Sequence, residues 1–326
     1  MNNHVHVGIE YWIGFISFVI IMLMLDLGVF HKKDTEVKVK PALLWSGFWI
    51  SLALLFNLGI WYLVDDKSKA MEFLTAYLLE KSLSIDNLFV FILIFSFFKI
   101  EARYQHKVLF WGIFGALIMR AIFIFAGVAI ISRFSWVMYI FGVFLVYTGI
   151  HMLVEKKDKS EFNPNENIVL RTFRKIMPVT DDMSRPRFFI RQAGKWVATP
   201  FFLTLLFIEA SDLVFAVDSI PAVLAVSQDT FIVFTSNIFA ILGLRSLYFA
   251  LNGIMTLFTY LKYALAVILS FIGLKMCVNE LAKELGWHFH ISNGLSLTII
   301  VGLIALSIIL SVIKNRKVTA PHNKNL

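Results

Sequence analysis

Long runs of apolar residues separated by short polar segments dominate this sequence. Nine runs reach the length of about 20 residues that a helix needs to cross a bilayer. These runs are 9–30, 42–63, 72–98, 106–130, 134–154, 199–226, 230–257, 262–280 and 295–313. Their continuity excludes the strands of a membrane barrel, in which apolar and polar positions alternate. Because backbone groups in lipid must be hydrogen-bonded within the chain, the pattern predicts an all-α, polytopic membrane protein of about nine transmembrane helices.

Composition supports a chain whose partner is the lipid bilayer. Of the 326 residues, 59% are hydrophobic and 16% are charged, whereas a soluble domain carries roughly 25% charged residues. The first run lacks the basic leader and cleavage site of a secretory signal, so we expect it to stay in the membrane. The one long polar segment, 155–198, predicts a loop that is either solvated or a site for lipid headgroups or a partner.

The basic residues predict how the chain is oriented. Of the 30 Lys and Arg residues, 22 fall after odd-numbered runs or in the C-terminal tail, 4 fall on the opposite side and 4 lie within runs. Basic loops stay in the cytoplasm. We therefore expect the N-terminus outside and the loop 155–198 and the C-terminus in the cytoplasm. The net charge of +8 is then a signal of orientation and does not indicate nucleic acid.

Three short matches recur in the same order along the chain and predict an internal repeat. The matched segments are Glu80–Asn87 with Asp212–Ser219, Ile113–Arg120 with Ile238–Arg245, and Gly149–Glu155 with Gly273–Glu280. Each copy holds three helices, and an odd number inverts the second copy in the membrane. The predicted organisation is 1–71 with two helices, 72–154 with the first repeat, the cytoplasmic loop 155–198, 199–280 with the inverted repeat, and 281–326 with the last helix and tail.

Acidic residues inside the runs are the candidate chemistry, because each charge near the bilayer centre costs roughly 2.5–3.5 kcal/mol. Asp26 and five acids on the third and sixth runs lie in such positions. Oxygen ligands of this kind suit Mn²⁺, Ca²⁺ and Mg²⁺, whereas zinc and copper usually recruit His or Cys. The predicted metal-binding residues are Glu80, Asp86, Asn87, Glu209, Asp212 and Asp218.

The same acids have other interpretations. They could be protonated, or paired with the bases Arg120, Arg245, Lys81 and Lys275 as structural ion pairs. We expect Arg120 and Arg245 to be counter-charges or gate residues rather than ligands. Pro221 predicts a break in the sixth helix near Asp218, which would re-aim that carboxylate. Four histidines outside the runs, either solvated or forming an external metal site, are His4, His6, His288 and His290.

Other chemistries lack support in the sequence. The lone Cys277 permits neither a dithiol couple nor an intrachain disulfide. Dinucleotide-binding, haem-attachment and Walker motifs are missing, so we expect no prosthetic group and no enzymatic activity.

Three segments resemble the TerC family of integral membrane proteins, most closely its Alx-like branch: Glu80–Phe91, Ser211–Ala222 and Thr235–Phe249. The resemblance extends over about 26–313. It implies a bacterial inner-membrane relative of LysE-type transporters that exports Mn²⁺, with protons as the candidate coupling ion. It also implies older associations with tellurium resistance and redox modulation, so the alternative is a non-transporting redox modulator or a scaffold for resistance to tellurite or alkaline pH. The resemblance implies that the family's acidic metal-handling residues correspond to the five acids among the predicted ligands, with Asn87 alongside them.

Overall fold

The computed structural model describes residues 8–30, 39–134, 136–154, 177–180, 186–192, 194–252, 260–287 and 291–319. Helices make up most of this part of the chain. They are α1 (Ile9–Phe30), α2 (Val39–Leu63), α3 (Ser68–Phe97), α4 (Ala102–Arg133), α5 (Val137–Val154), α6 (Pro200–Val226), α7 (Thr230–Ile241), α8 (Leu244–Asn252), α9 (Leu261–Glu284) and α10 (Asn293–Thr319). The predicted all-α class is thereby confirmed.

Each predicted apolar run contains a helix, but the count of nine membrane spans is not confirmed. Within the described residues, six helices are long and apolar enough to cross a membrane, and α7 with α8 makes a seventh as one bent span. The apolar part of α1 that qualifies is shorter, Ile9–Leu25. Helix α3 interrupts its apolar sequence with charged residues, among them the candidate acid Glu80.

Helices α3 and α6 lie at the centre of the bundle. Helix α3 packs against α2, α6, α7 and α10, while α6 packs against α3, α4, α5 and α9. The most extensive contact joins α5 to α9, where Gly142 lies against Gly273 and Gly149 lies against Ala266 and Ser270. Small residues allow this close approach of two helix backbones inside a membrane.

The predicted break at Pro221 is wrong. Helix α6 runs unbroken through Pro221 to Val226. A proline removes one backbone hydrogen bond of the helix. Ending the helix there would leave several more backbone groups without hydrogen bonds in lipid, so the helix continues. The discontinuity lies instead between α7 and α8, which meet at an angle of 40°.

Gly243 forms the bend between α7 and α8. Its φ of +80° is a conformation that glycine adopts without steric cost. The indole of Trp49 from α2 occupies the space where a Cβ would lie. The ammonium of Lys81 donates to the carbonyl of Ala240 at 3.2 Å, near the end of α7, where helical carbonyls lack intrahelical partners. The bend is thus fixed by a backbone conformation, a packed ring and a cation.

The described part of the predicted cytoplasmic loop contains a small antiparallel hairpin. Strand β1 (Phe189–Gln192) pairs with β2 (Lys195–Ala198). Thr199 then donates from its hydroxyl to the carbonyls of Arg187 and Phe188 and so attaches the hairpin to the start of α6. Positions 155–176, 181–185 and 193 of the predicted loop lie outside the described residues.

Candidate functional site

Four helices each contribute one side chain to a buried group of charges. Arg120 of α4 forms an ion pair with Glu80 of α3 and donates to Asp212 of α6 at 3.4 Å. It also donates to the amide oxygen of Asn237 of α7 at 3.1 Å. The exposed fractions are 0% for Glu80, 2% for Arg120 and 4% for Asp212. We call Glu80, Arg120, Asp212 and Asn237 the buried charge cluster.

Polar faces on α3 and α6 extend the cluster along the bundle. Asn87 lies seven residues after Glu80, and Ser219 lies seven residues after Asp212. Seven residues complete nearly two helical turns, so each pair shares one helix face. Both Asn87 and Ser219 are buried. The two central helices therefore carry oxygen-bearing side chains on the same faces as the acids of the cluster.

Several polar atoms of this region have no hydrogen-bond partner among the described residues. They include one oxygen of each carboxylate, Glu80 Oε1 and Asp212 Oδ2, and the hydroxyl oxygens of Ser84 and Ser219. Buried polar groups are normally hydrogen-bonded, and exceptions point to an ion, a water molecule or a functional role. Glu80 and Asp212 therefore each have one carboxylate oxygen that is available to bind a ligand.

The other predicted ligands are not gathered at the cluster. Glu209, one turn before Asp212 on α6, packs its carboxylate against Gly115 of α4. Asp218 faces Thr148 of α5, because six residues on an unbroken helix turn it about 120° from Asp212. Among the described side chains, no three His, Cys, Asp or Glu residues come close enough to hold a metal.

Some predicted residues cannot be placed in this way. The backbone of Asp86 lies in α3, but its side chain is outside the described residues, as is that of Asp26. The four candidate histidines of an external metal site are also outside the described positions. Arg245, the predicted counterpart of Arg120, is buried on α8, beyond the bend, with an exposed fraction of 1%.

A second polar region lies at the end of the bundle where α3 and α10 begin and α9 ends. A cavity of about 500 Å³ opens there, and we call it the vestibule. Glu72 of α3 accepts hydrogen bonds from Lys69 at 3.1 Å, from Ser227 at 2.6 Å and from Asn293 of α10 at 3.3 Å. This carboxylate therefore ties together α3, the α6–α7 turn and α10.

Asp229 completes the vestibule on the α6–α7 turn. Its carboxylate caps α7 by accepting from the backbone amides of Phe231 and Ile232, as N-terminal acids do. It also lies 3.8 Å from the ammonium of Lys69. The sequence did not single out Glu72 and Asp229, because charged residues are common where an apolar run begins. Glu72 is the first residue of the run 72–98, and Asp229 immediately precedes the run 230–257. Their shared position at the start of a run was the available signal.

Two of the bases expected to neutralise acids have neutral partners among the described residues. Lys81 donates to the Ala240 carbonyl. Lys275 of α9 lines the vestibule and donates to the amide oxygen of Asn293 at 2.8 Å, with an exposed fraction of 2%. The alternative interpretation, in which acids pair with intramembrane bases, is therefore met by Arg120 and not by these two lysines.

The fold and the buried charges define a class: polytopic helical membrane proteins that hold ionisable side chains between their central helices. The sequence profile of the "Integral membrane protein TerC family" matches residues 65–319. The chain belongs to this family. The match covers both central helices and every residue of the buried charge cluster.

Similar proteins share nearly the whole chain. A membrane protein of Myxococcus xanthus is 50% identical over 305 residues, which are 94% of this chain and 92% of that protein. A candidate membrane-bound redox modulator named Alx, from Photorhabdus laumondii, is 43% identical over 94% of this chain and 95% of its own. Alx of Escherichia coli K12 is 42% identical over 92% and 93%. No solved structure gives a significant match.

Proposed function

We propose that this protein is a secondary transporter that exports Mn²⁺ across the bacterial inner membrane, with protons as the coupling ion. The observation that carries the proposal is the pair of buried carboxylates, Glu80 and Asp212, each with one oxygen that lacks a partner among the described residues. Their helices come from the two halves of the chain. Buried ionisable groups inside a membrane bundle commonly mark ion pathways.

The charge of the cluster favours a cation as the transported species. Two carboxylates face one guanidinium, which leaves one negative charge if both acids are ionised. Carboxylate, amide and hydroxyl oxygens are preferred by hard divalent cations. Arg120 would hold the two acids when the ion is absent, and an incoming divalent cation would compete for the same oxygens. Glu209 and Asp218 would serve along the route rather than at this point.

The helix contacts support a pair of inverted three-helix repeats, α3–α5 and α6–α9, in which the bent pair α7–α8 counts as one helix. Helix α3 packs against α7, and its counterpart α6 packs against α4, which is the counterpart of α7. The contact of Gly142 with Gly273 is matched by that of Ala266 with Gly149, as expected if Gly149 corresponds to Gly273. In transporters with such repeats, the ion site lies between the two copies, which move against each other to expose it alternately.

The vestibule would then be the outer opening. The basic residues at that end of the bundle are few, whereas the opposite end carries most of the Lys and Arg residues. By the positive-inside rule the vestibule faces outward, the N-terminus lies outside and the C-terminus lies in the cytoplasm. This arrangement provides a water-accessible exit for an exported ion.

The test is Mn²⁺ efflux from cells that lack their own exporter and produce this protein. We expect Asp212→Asn, Glu80→Gln, Asp86→Asn and Asp218→Asn to lower the efflux of radioactive Mn²⁺ by about tenfold or more, since even residues behind the ligands of metal sites matter by 10–100-fold. Glu101→Gln, at an exposed pair, is the matched control. Near-wild-type efflux from Asp212→Asn and Glu80→Gln would remove the cluster from the mechanism.

A second candidate is a non-transporting redox modulator or stress-resistance scaffold. The ion pairs of Arg120 favour it, because they can be purely structural, and relatives carry the redox name. The only cysteine, Cys277, offers no dithiol. This candidate predicts that purified protein shows no Mn²⁺-dependent shift in its unfolding temperature. A Mn²⁺-dependent shift that Asp212→Asn abolishes would favour transport instead.

A further inference from the structure

Lys275 is a buried amine whose environment lacks the usual partner of a lysine. Among the described residues, its hydrogen-bond acceptor is the neutral amide oxygen of Asn293 at 2.8 Å, and no carboxylate oxygen lies within 4 Å of its ammonium nitrogen. Its exposed fraction is 2%. A charge in such a place is costly unless it is paired. The side chain also lines the vestibule, so water can bring it a proton or carry one away.

The carboxylate of Glu72 acts on Lys275 electrostatically but is not its direct partner. Glu72 already accepts from Lys69, Ser227 and the amide nitrogen of Asn293. The Asn293 amide therefore stands between Glu72 and Lys275, accepting from the lysine with its oxygen and donating to the acid with its nitrogen. Lys275 feels the negative charge of Glu72 only across this neutral group.

The remaining charges around the vestibule come from three directions. Helix α3 contributes Lys69 and Glu72, the α6–α7 turn contributes Asp229, and α9 itself contributes Glu280 and Lys283, which lie 3.4 Å apart. The other described walls carry no charge where α4, α5 and α6 reach the cavity and where α10 begins. Apart from Lys275, the lining thus carries three acids and two bases.

We propose that Lys275 is the proton-binding residue that drives release of the exported divalent cation from the vestibule. This inference rests on the function proposed above. With the amine neutral, the lining carries one net negative charge and favours a divalent cation. When the amine takes a proton from a hydronium ion, leaving water, the lining becomes neutral and the cation loses that attraction. Proton and metal then oppose each other, and linkage makes the effect reciprocal.

The experiment uses the full-length protein in everted membrane vesicles, where the vestibule faces the lumen. Mn²⁺ transport into the lumen is followed while the luminal pH is set between acidic and alkaline values. We expect wild-type transport to be faster with an acidic lumen, by at least about fivefold, the lower end of usual coupling between two ligands. Lys275→Met, which cannot bind a proton, should lose this dependence, and Lys275→Arg, a permanent cation, should lose it as well.

Lys283→Met is the matched control, because Lys283 lines the same cavity from the same helix with a side chain 74% exposed. It should keep the pH dependence. Wild-type Mn²⁺ transport whose pH dependence survives in both Lys275 variants would overturn the role of Lys275 and leave the transport proposal intact. Absence of Mn²⁺ transport by the wild type would overturn both. Size-exclusion profiles of the variants separate these results from misfolding.

Discussion

At the scale of single residues, Arg120 supplies the positive charge of the candidate site. Its guanidinium is 2% exposed and contacts both acids of the cluster. Removing one member of a buried ion pair leaves an uncompensated charge and typically costs 3–5 kcal/mol. A divalent cation could supply the missing positive charge. Arg120 is therefore the counter-ion of both acids, and under the proposed function it would compete with the cargo ion for them.

We expect Arg120→Gln to lower the unfolding temperature of the metal-free protein and to enlarge the stabilisation that added Mn²⁺ provides. The physical reason is that two acids without their cation repel each other until a divalent ion binds. Thermal unfolding in detergent, with and without MnCl₂, measures both effects. Arg103→Gln removes an arginine from an exposed pair with Glu101 and should change little, since such pairs contribute about 0–1 kcal/mol.

A variant Arg120→Gln that unfolds at the wild-type temperature without metal would contradict the counter-ion role. An unchanged response to Mn²⁺ would contradict the competition. The two outcomes are separate, so the experiment distinguishes a structural arginine from one that shares its acids with a cargo ion.

The acids of the cluster were predictable because charge inside a long apolar run is rare and costly. Glu80 and Asp212 meet across the bundle, as the matched segments suggested. Asn237 was missed, since a single amide in an apolar helix carries no signal of its own. Glu209 and Asp218 were assigned to the same site, but the angular spacing of a continuous α6 turns Asp218 toward α5.

At the scale of elements, the bend between α7 and α8 is a helix break that the hydropathy of the sequence does not predict. The run 230–257 is apolar enough over its whole length to predict one span, even with Arg245 inside it, so its hydropathy does not mark Leu242 and Gly243 as a break. Pro221 suggested a break that does not occur, because a membrane helix tolerates a proline more easily than an end exposed to lipid. The limits of most other helices agree with the apolar runs within a few residues, since bilayer thickness fixes their length.

We expect Gly243→Ala to destabilise the protein more than Gly286→Ala does. Both glycines have positive φ, +80° and +67°, which costs about 1–2 kcal/mol for other residues. A Cβ at Gly243 would also collide with the ring of Trp49, whereas a Cβ at Gly286 meets open space. The difference between the two unfolding temperatures in detergent measures the packing at the bend. Equal decreases in unfolding temperature would mean that the Trp49 side chain moves aside without a loss of stability.

At the scale of the whole molecule, the direction of the proposed transport depends on which side of the membrane the vestibule faces. Lys67, in the turn between α2 and α3, lies at the same end of the bundle as the α6–α7 turn. Arg103, at the start of α4, lies at the opposite end. By the positive-inside rule we expect the first end to face the outside and the second to face the cytoplasm. Export through the vestibule depends on that assignment.

Labelling of single cysteines tests the orientation. In a Cys277→Ala background, Lys67→Cys should react with a membrane-impermeant maleimide in spheroplasts with intact inner membranes. Arg103→Cys should react only after that membrane is permeabilised. Both positions are exposed, so accessibility to water does not separate them. The reverse labelling pattern would invert the molecule and turn the vestibule into a cytoplasmic opening.

The glycine-lined contact of α5 with α9 has a consequence for the order of biosynthesis. The two helices are separated by about 100 residues, which a ribosome adds in roughly 5–20 s. During that interval Gly142 and Gly149 have no α9 to pack against, and lipid must cover their face of α5. The most extensive helix contact of the bundle is therefore among the last to form. Until α9 is synthesised and inserted, α5 lies in the membrane without this partner.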